Sequence, residues 1–161
     1  MAFTPSNSGT VVENVEGSLP HLVREVHRSF SRALQHRIAE HGVSIGQWLF
    51  LRALWEEDGI TQRELSQRVG MMEPTTVSAI NAMERRGLVE RVRNLHDRRK
   101  VNVFLTERGR SLKAELLQCA DEVNEQAARG IDRDELLRML EVLSRVSANL
   151  GGIGLLGDDF D

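Results

Sequence analysis

TQRELSQRVGMMEPTTVSAINAMERRGLVERVRNLHDRRKVNVFL, residues 61–105, is the stretch that decides the fold of this chain. Thr61 and Glu64 have the spacing of a capping box, in which each side chain bonds the backbone N–H of the other residue. They predict a helix that begins there and ends at Gly70. Pro74 predicts the start of a second helix, because its missing N–H would lack a partner in a first turn anyway.

The predicted second helix has an apolar face and a polar face. Val77, Ile80 and Met83 recur at helical spacing and are expected to face the core. The opposite face carries short polar side chains, which supply hydrogen-bond donors and acceptors that can approach base edges in DNA. The candidate base contacts are Thr75, Thr76, Ser78 and Asn81, and the candidate phosphate contacts on this helix are Arg85 and Arg86.

After Gly87 the apolar period changes from helical to alternating, which predicts a hairpin of two strands. Its tip carries Asp97, Arg98, Arg99 and Lys100. Helix, turn, helix and a hairpin with a cationic tip is the layout of a winged helix-turn-helix, whose second helix enters the major groove while the wing reaches flanking backbone or the minor groove. The alternative is a small helical core whose basic hairpin is simply solvated.

The stretch resembles the DNA-binding part of the multiple antibiotic resistance regulator (MarR) family. The likeness lies in a G-L-V-x-R turn at residues 87–91, a D-x-R wing motif at residues 97–99 and a T-x-x-G step at residues 106–109. In that family the wing arginine enters the minor groove and the aspartate holds it in position. The resemblance implies these roles for Arg99 and Asp97.

The recognition helix also departs from the family pattern. Many members have an arginine where this chain has Ser78, and an Asp-Arg pair where it has Asn81-Ala82. Base contacts are therefore expected to be weaker here, or distributed differently along the helix.

Basic residues concentrate in the same stretch. The whole chain has 21 Lys+Arg and 24 Asp+Glu, a net charge of −3. Residues 61–105 hold nine basic and five acidic side chains, whereas residues 106–161 hold seven and twelve. A basic segment inside an acidic chain is the pattern expected of a surface that binds DNA phosphates.

Long helices with one apolar seam each are predicted on both sides of this region, over about residues 18–41, 106–129 and 132–150. They carry more apolar surface than a winged-helix lobe can cover. A symmetric homodimer is therefore predicted, in which two recognition helices meet the half-sites of a palindromic operator. An intramolecular helical bundle is the alternative.

The predicted fold class is mainly α with a small β-hairpin wing, a winged helix-turn-helix with long N- and C-terminal dimerisation helices. Ile60 is expected to pair with the wing as a third strand. The expected boundaries are a flexible N-terminal arm over residues 1–17, the dimerisation region over 18–43 and 106–150, the DNA-binding lobe over 44–105, and a flexible tail over 151–161.

Several other classes of function find no support in the sequence. A phosphate-binding P-loop, an H-E-x-x-H motif and a G-x-S-x-G motif are all missing, so no enzyme is predicted. The five histidines are scattered, and neither a metal nor another cofactor is expected. Cys119 lies on an apolar seam and is interpreted as a small buried hydrophobe. With no long apolar run and one cysteine, the expected location is the cytoplasm, away from membranes.

The family resemblance also implies a small organic effector, often an aromatic acid and sometimes an acyl thioester, bound where the dimerisation helices meet the lobe. Such a pocket needs an apolar wall and a cation for the carboxylate. The candidate ligand-binding residues are Arg24, His27, Ser31, Trp48, Arg52 and Trp55. The predicted function is a dimeric, ligand-responsive repressor of transcription. The alternative is a winged-helix adaptor that binds an acidic protein without reading DNA sequence.

Overall fold

A computed structural model describes residues 18–152 of the chain. The predicted arm at residues 1–17, and the tail beyond Gly152, lie outside the described residues. The helices are α1 (Leu19–Ile38), followed by a short 3-10 turn (Ala39–His41), α2 (Ile45–Glu56), α3 (Gln62–Val69), α4 (Glu73–Arg85), α5 (Glu107–Ser111), α6 (Lys113–Ala128) and α7 (Arg133–Asn149). Strands β1 (Val89–Arg93) and β2 (Val101–Leu105) form an antiparallel hairpin. The predicted mainly helical fold with one small hairpin is confirmed.

The chain divides into two compact units, one ending at Asp121 and the other beginning at Glu122. Local signals in the sequence fix where their helices begin. Ser44, Thr61 and Asp132 each form a complete capping box at the start of α2, α3 and α7. Because the first backbone N–H groups of a helix have no partner within it, these side chains stabilise each helix start.

The core of the first unit is built around α2. Phe50, Leu51 and Leu54 of this helix are fully buried, and they join a cluster that includes Leu65 of α3 and Ile80 of α4. Such a helix, apolar over most of its circumference, has to be surrounded by other elements. The burial of α2 follows from this apolar pattern.

The buried face of α4 is rotated from the predicted one. Thr76, Ile80 and Met83 are fully buried, whereas Val77 is only half-buried. Residues at positions i, i+4 and i+7 share a helix face, so a threonine can replace the valine on the stripe that meets the core. The helix itself begins one residue earlier than Pro74, at Glu73.

The single helix predicted from Thr106 to about Arg129 is wrong, because it is interrupted at Leu112 between α5 and α6. The indole N–H of Trp55 donates to the carbonyl oxygen of Gly109 at 3.0 Å. In a continuous α-helix that carbonyl would accept the N–H of Lys113. The carbonyl of Gly109 accepts the indole N–H instead, and α5 ends at Ser111.

The third strand predicted at Ile60 is reduced to an isolated bridge between Thr61 and Asn102. Gly59 N–H donates to the carbonyl of Val103 at 3.0 Å, and Val103 N–H donates to the carbonyl of Ile60 at 2.9 Å. Since α3 begins at Gln62, the backbone leaves the extended conformation directly after this bridge. The contact between this segment and the wing exists, but it is too short to form a strand.

Helices α1 and α7 bury little within one chain. Ile38 is the buried residue of α1, and α7 has none. The large apolar side chains left exposed on them are Leu19, Leu22, Val23, Val26, Phe30, Leu137, Met139, Leu140, Val142 and Leu143. Among the described residues, none of the helices has the length and apolar content to cross a bilayer.

Candidate nucleic-acid interface

The polar face of α4 presents only some of the predicted base contacts. Thr75, Ser78 and Arg85 are exposed, as a helix that reads DNA requires. Thr76 is 0% exposed, and its hydroxyl lacks a hydrogen-bond partner among the described residues. The prediction that Thr76 contacts a base is therefore wrong, since its side chain is part of the core.

Asn81 lies half-buried on α4, and Arg91 of β1 holds its side chain. The guanidinium Nη2 of Arg91 donates to Asn81 Oδ1 at 2.5 Å and to Glu84 Oε2 at 2.8 Å. The hydrogen bond from Arg91 holds the pKa of the Glu84 carboxyl below its usual value. Because Arg91 only donates, the Asn81 oxygen must face it, which leaves the amide N–H groups for a base.

Arg86, predicted to contact phosphate, forms hydrogen bonds within the first unit. Its guanidinium donates to the carbonyl of Gly42, after the 3-10 turn, and its own carbonyl accepts from Arg108 at 3.1 Å. Arg86 therefore ties the end of α4 to two neighbouring segments. A contact with phosphate would compete with this role and stays a prediction.

The wing tip carries an exposed cation in a defined orientation. Arg99 is 91% exposed at its side chain, and its Nε donates to Asp97 Oδ1 at 3.2 Å. The backbone N–H of Arg99 donates to the same oxygen at 3.1 Å. These hydrogen bonds, the side-chain bond first, hold the pKa of Asp97 below its usual value. The pairing expected from the family resemblance is present, and entry of Arg99 into the minor groove stays a prediction.

Asn94, which is not among the predicted site residues, shapes the turn that carries this pair. Its Oδ1 accepts the backbone N–H of His96 at 2.8 Å and that of Asp97 at 3.0 Å. The signal was available, because asparagine at the start of a turn commonly bonds the backbone two or three residues later. The neighbouring cations Arg98 and Lys100 are exposed at the same tip.

Asp58 and Gly59, between α2 and α3, hold the base of the wing. Asp58 Oδ1 accepts the N–H of Leu105 at 2.8 Å, and Oδ2 lies 3.3 Å from Arg110 Nη2. Gly59 has φ +75, and a Cβ there would lie 2.4 Å from Phe104 Cε1. Glycine is required at this position both by the left-handed backbone and by the aromatic ring above it.

A cleft of about 680 Å³ opens between the start of α3 and the wing. Its lining combines basic side chains, Arg63, Arg99 and Lys100, with acidic ones, Glu64, Glu73 and Asp97. The cations on this rim are continuous with those of the wing tip. The surface that α3, α4 and the wing share is therefore polar and presents several cations to solvent.

The residues predicted to bind an effector divide into two groups. Trp48 is 4% exposed and packs edge-to-face on Trp55, with ring centroids 5.8 Å apart, while the Arg52 guanidinium lies 5.7 Å from the Trp48 ring centre. These three residues lie together, but the two tryptophans pack in the core and Arg52 covers the Trp48 ring. On α1, Arg24 and His27 are exposed, and Ser31 borders a cavity of about 430 Å³.

Comparisons with known proteins agree with this geometry. The model of the MarR family matches residues 43–101. The TtmR regulator of Methylorubrum extorquens, described as helix-turn-helix type, is 32% identical over 104 residues, which cover 65% of this chain. The chain spans about half, 53%, of that protein's length.

Two solved structures extend the likeness to the whole fold. A MarR transcriptional regulator from Methanosarcina mazei Go1 is 31% identical and covers 80% of this chain and 95% of its own, with a TM-score of 0.71. A putative MarR family regulator from Listeria monocytogenes, solved in complex with a 26mer DNA, is 22% identical with a TM-score of 0.74, and covers 83% of this chain and 89% of its own. The second likeness concerns the fold alone.

Proposed function

The chain belongs to the MarR family of DNA-binding transcriptional regulators, and from this premise we propose that it is a cytoplasmic homodimeric repressor released from a palindromic operator by a small organic ligand. The observation that carries the proposal is the shared surface of α4 and the wing. An exposed polar helix face and an oriented, exposed Arg99 occur together in one lobe. Their combination suits simultaneous contact with a major groove and the flanking minor groove.

The proposed dimer is supported by the apolar surfaces of the long helices. Leu22 and Val26 on α1 are 57% and 49% exposed, and Leu140 on α7 is 50% exposed. Large apolar side chains exposed along a helix in this way are characteristic of a protein–protein interface. A two-fold pairing of these helices would also match the symmetry of a palindromic operator.

Each lobe would contact DNA through two kinds of side chain. Thr75 and Ser78 are proposed for base edges, with the amide N–H groups of Asn81 as further donors. Arg99 is proposed for the minor groove, and Arg85, Arg98 and Lys100 for phosphates. Phosphate contacts set the register and the base contacts provide the sequence specificity.

The effector is proposed to be an aromatic acid or an acyl thioester, acting between the dimerisation helices and the lobe. It would change the spacing of the two recognition helices, so that one spacing fits the operator and the other does not. The ligand must bind the two states with different affinity for this to happen. Arg24, His27, Ser31 and Arg52 remain the proposed polar contacts. Trp48 and Trp55 remain proposed for its wall, although Trp48 would be reached only if the core opened.

The test begins with selection of bound duplexes from a random pool by the purified protein. Arg99→Ala is expected to weaken binding to the selected operator by ten- to a hundredfold, that is by about 1–3 kcal/mol, a typical size for one specific groove contact. Lys100→Ala is expected to weaken binding about equally on all sequences and to reduce the salt slope by about 1.

The outcome that contradicts the proposal is equally concrete. A wild-type protein that retains random and selected duplexes equally, with a steep salt dependence, binds phosphate without reading sequence. If binding to duplex DNA shows no salt dependence at all, the adaptor function is favoured instead. A panel of aromatic acids and acyl thioesters, tested for release of the selected operator, examines the effector separately.

A further inference from the structure

Two asparagines connect the wing tip to the helix-turn-helix. Asn102 lies half-buried near the tip end of β2, where it pairs with Val92, and its Nδ2 donates to the carbonyl of Gly59 at 2.7 Å. Its Oδ1 accepts from Nδ2 of Asn94 at 3.0 Å. The two amides therefore link the segment before α3 to the turn at the wing tip.

The direction of both amides is dictated by backbone groups at the two ends. A carbonyl can only accept, so the Asn102 nitrogen must face Gly59 and its oxygen must face Asn94. Asn94 must then present its nitrogen to Asn102 and its oxygen to the backbone N–H groups of His96 and Asp97. Neither amide can be reversed without losing hydrogen bonds at both of its ends.

Each end of this connection is itself fixed. At the Gly59 end, the Phe104 ring packs against the glycine, and the Gly59 N–H donates to the carbonyl of Val103. At the Arg99 end, Asp97 accepts from both the backbone N–H and the side chain of Arg99. A continuous series of hydrogen bonds thus links the segment that caps α3 with the exposed Arg99 guanidinium.

We infer that Asn102 and Asn94 are positioning residues for DNA recognition, which hold Arg99 at the distance and angle from α4 that one duplex requires. A two-stranded hairpin is marginally stable by itself, so its tip needs such a tether to keep one orientation. A tip ordered before binding loses less conformational freedom when it binds. The inference rests on the proposed function, because it assigns these residues a role in the same DNA contact.

The experiment compares three variants by mobility shift on the selected operator. Asn102→Val removes both amide hydrogen bonds and suits a strand. Asn94→Asp keeps the acceptor for His96 and Asp97 but loses the donor to Asn102, so it cuts the connection while leaving the turn capped. Asn124→Val makes the same exchange at an exposed position on α6 and is the control. Asn102→Val and Asn124→Val are also made in an Arg99→Ala background.

Asn102→Val is expected to weaken operator binding about tenfold, as loss of two partly buried hydrogen bonds would. Asn94→Asp is expected to fall between it and the wild type, and Asn124→Val to bind normally. In the Arg99→Ala background, Asn102→Val should add less than about twofold, because residues that act as a unit are not additive. The salt slope should stay unchanged, since no phosphate contact is removed. Amide exchange at Asp97 and Arg99 should become faster in the free protein.

Three results would overturn the inference. One is that both Asn102→Val and Asn94→Asp bind the operator with wild-type affinity while Arg99→Ala binds more weakly. That result would contradict the role of the two asparagines but not the proposed function. Another is full additivity of Asn102→Val and Arg99→Ala. The third is an unchanged amide exchange at the tip. Equal retention of all duplexes by the wild type would instead contradict the proposed function itself.

Discussion

Helices α2 and α7 differ in what they bury within a single chain. α2 buries six of its twelve residues, among them Phe50, Leu51 and Leu54, in the core of the first unit. α7 has seventeen residues and buries none of them, although it carries a regular apolar seam. The packing of α2 is complete within one chain, whereas α7 leaves its apolar side chains exposed. Substitutions in α2 are therefore expected to lower the unfolding free energy, whereas substitutions in α7 are expected to weaken self-association.

The largest effect is expected from Leu54→Ala in α2. Removing a fully buried leucine side chain leaves a cavity and costs about 2–5 kcal/mol of unfolding free energy. Leu49, on the same helix but 40% exposed, provides the control, and Leu49→Ala should cost less than about 1 kcal/mol. Urea denaturation followed by circular dichroism measures both. Equal losses would mean that the two positions do not differ in burial.

Leu140→Glu in α7 tests the other side of the comparison. A carboxylate in an apolar interface is strongly unfavourable, so the proposed homodimer should dissociate at micromolar concentration while the lobe stays folded. Operator affinity should then fall about a hundredfold or more, since the two half-sites are no longer bound together. Sedimentation velocity and mobility shift are the measurements. Glu141→Ala on the same helix is the control and should remain dimeric.

Thr76→Val sharpens the comparison between two faces of one helix. The Thr76 hydroxyl is buried without a hydrogen-bond partner among the described residues. An isosteric apolar side chain should therefore raise the unfolding free energy by about 1 kcal/mol. Thr75→Val, on the exposed face, should leave stability unchanged and weaken operator binding. Reversed behaviour of the two variants would place Thr76 on the DNA-binding face after all.

The smallest effect concerns the capping box of α3. The backbone N–H of Thr61 donates to Glu64 at 2.8 Å, and this bond lowers the pKa of the Glu64 carboxyl. With its folded pKa below the unfolded value, the charged carboxylate stabilises the native state at neutral pH. That contribution is lost as the pH falls through the lowered pKa. Relative to Glu64→Gln, the wild type should lose a few tenths of a kcal/mol on acidification, because the pair is exposed. Parallel acid titrations of unfolding free energy for the two proteins check it.

Much of the fold was predictable because its signals are local. Thr61 with Glu64, and Gly70 at the end of α3, act within a few residues of each other, and both predictions are confirmed. The capping box of Asp132 with Glu135 is equally local. Asp97 and Arg99 are likewise only two positions apart in the sequence. Cys119 is buried, as its position on an apolar seam indicated.

The missed features join residues far apart in sequence. Trp55 meets Gly109, which interrupts a helix that periodicity alone would continue. Asn102 bonds the carbonyl of Gly59, 43 positions earlier, and no local sequence pattern at either residue predicts this hydrogen bond. The burial of Thr76 was missed for a different reason. Its neighbour Val77 is more apolar and was therefore assigned to the core face of α4. The rotation of the helix about its axis is decided by tertiary packing.

The interruption between α5 and α6 has a spectroscopic consequence. The chain has two tryptophans and no tyrosine, and both indoles lie in the first unit, in contact with each other. Since the indole N–H of Trp55 donates to Gly109 and its ring packs on Trp48, the emission spectrum of the protein reports on the surroundings of this pair. A red shift of the emission maximum would signal that water has reached the indoles at the junction between α5 and α6.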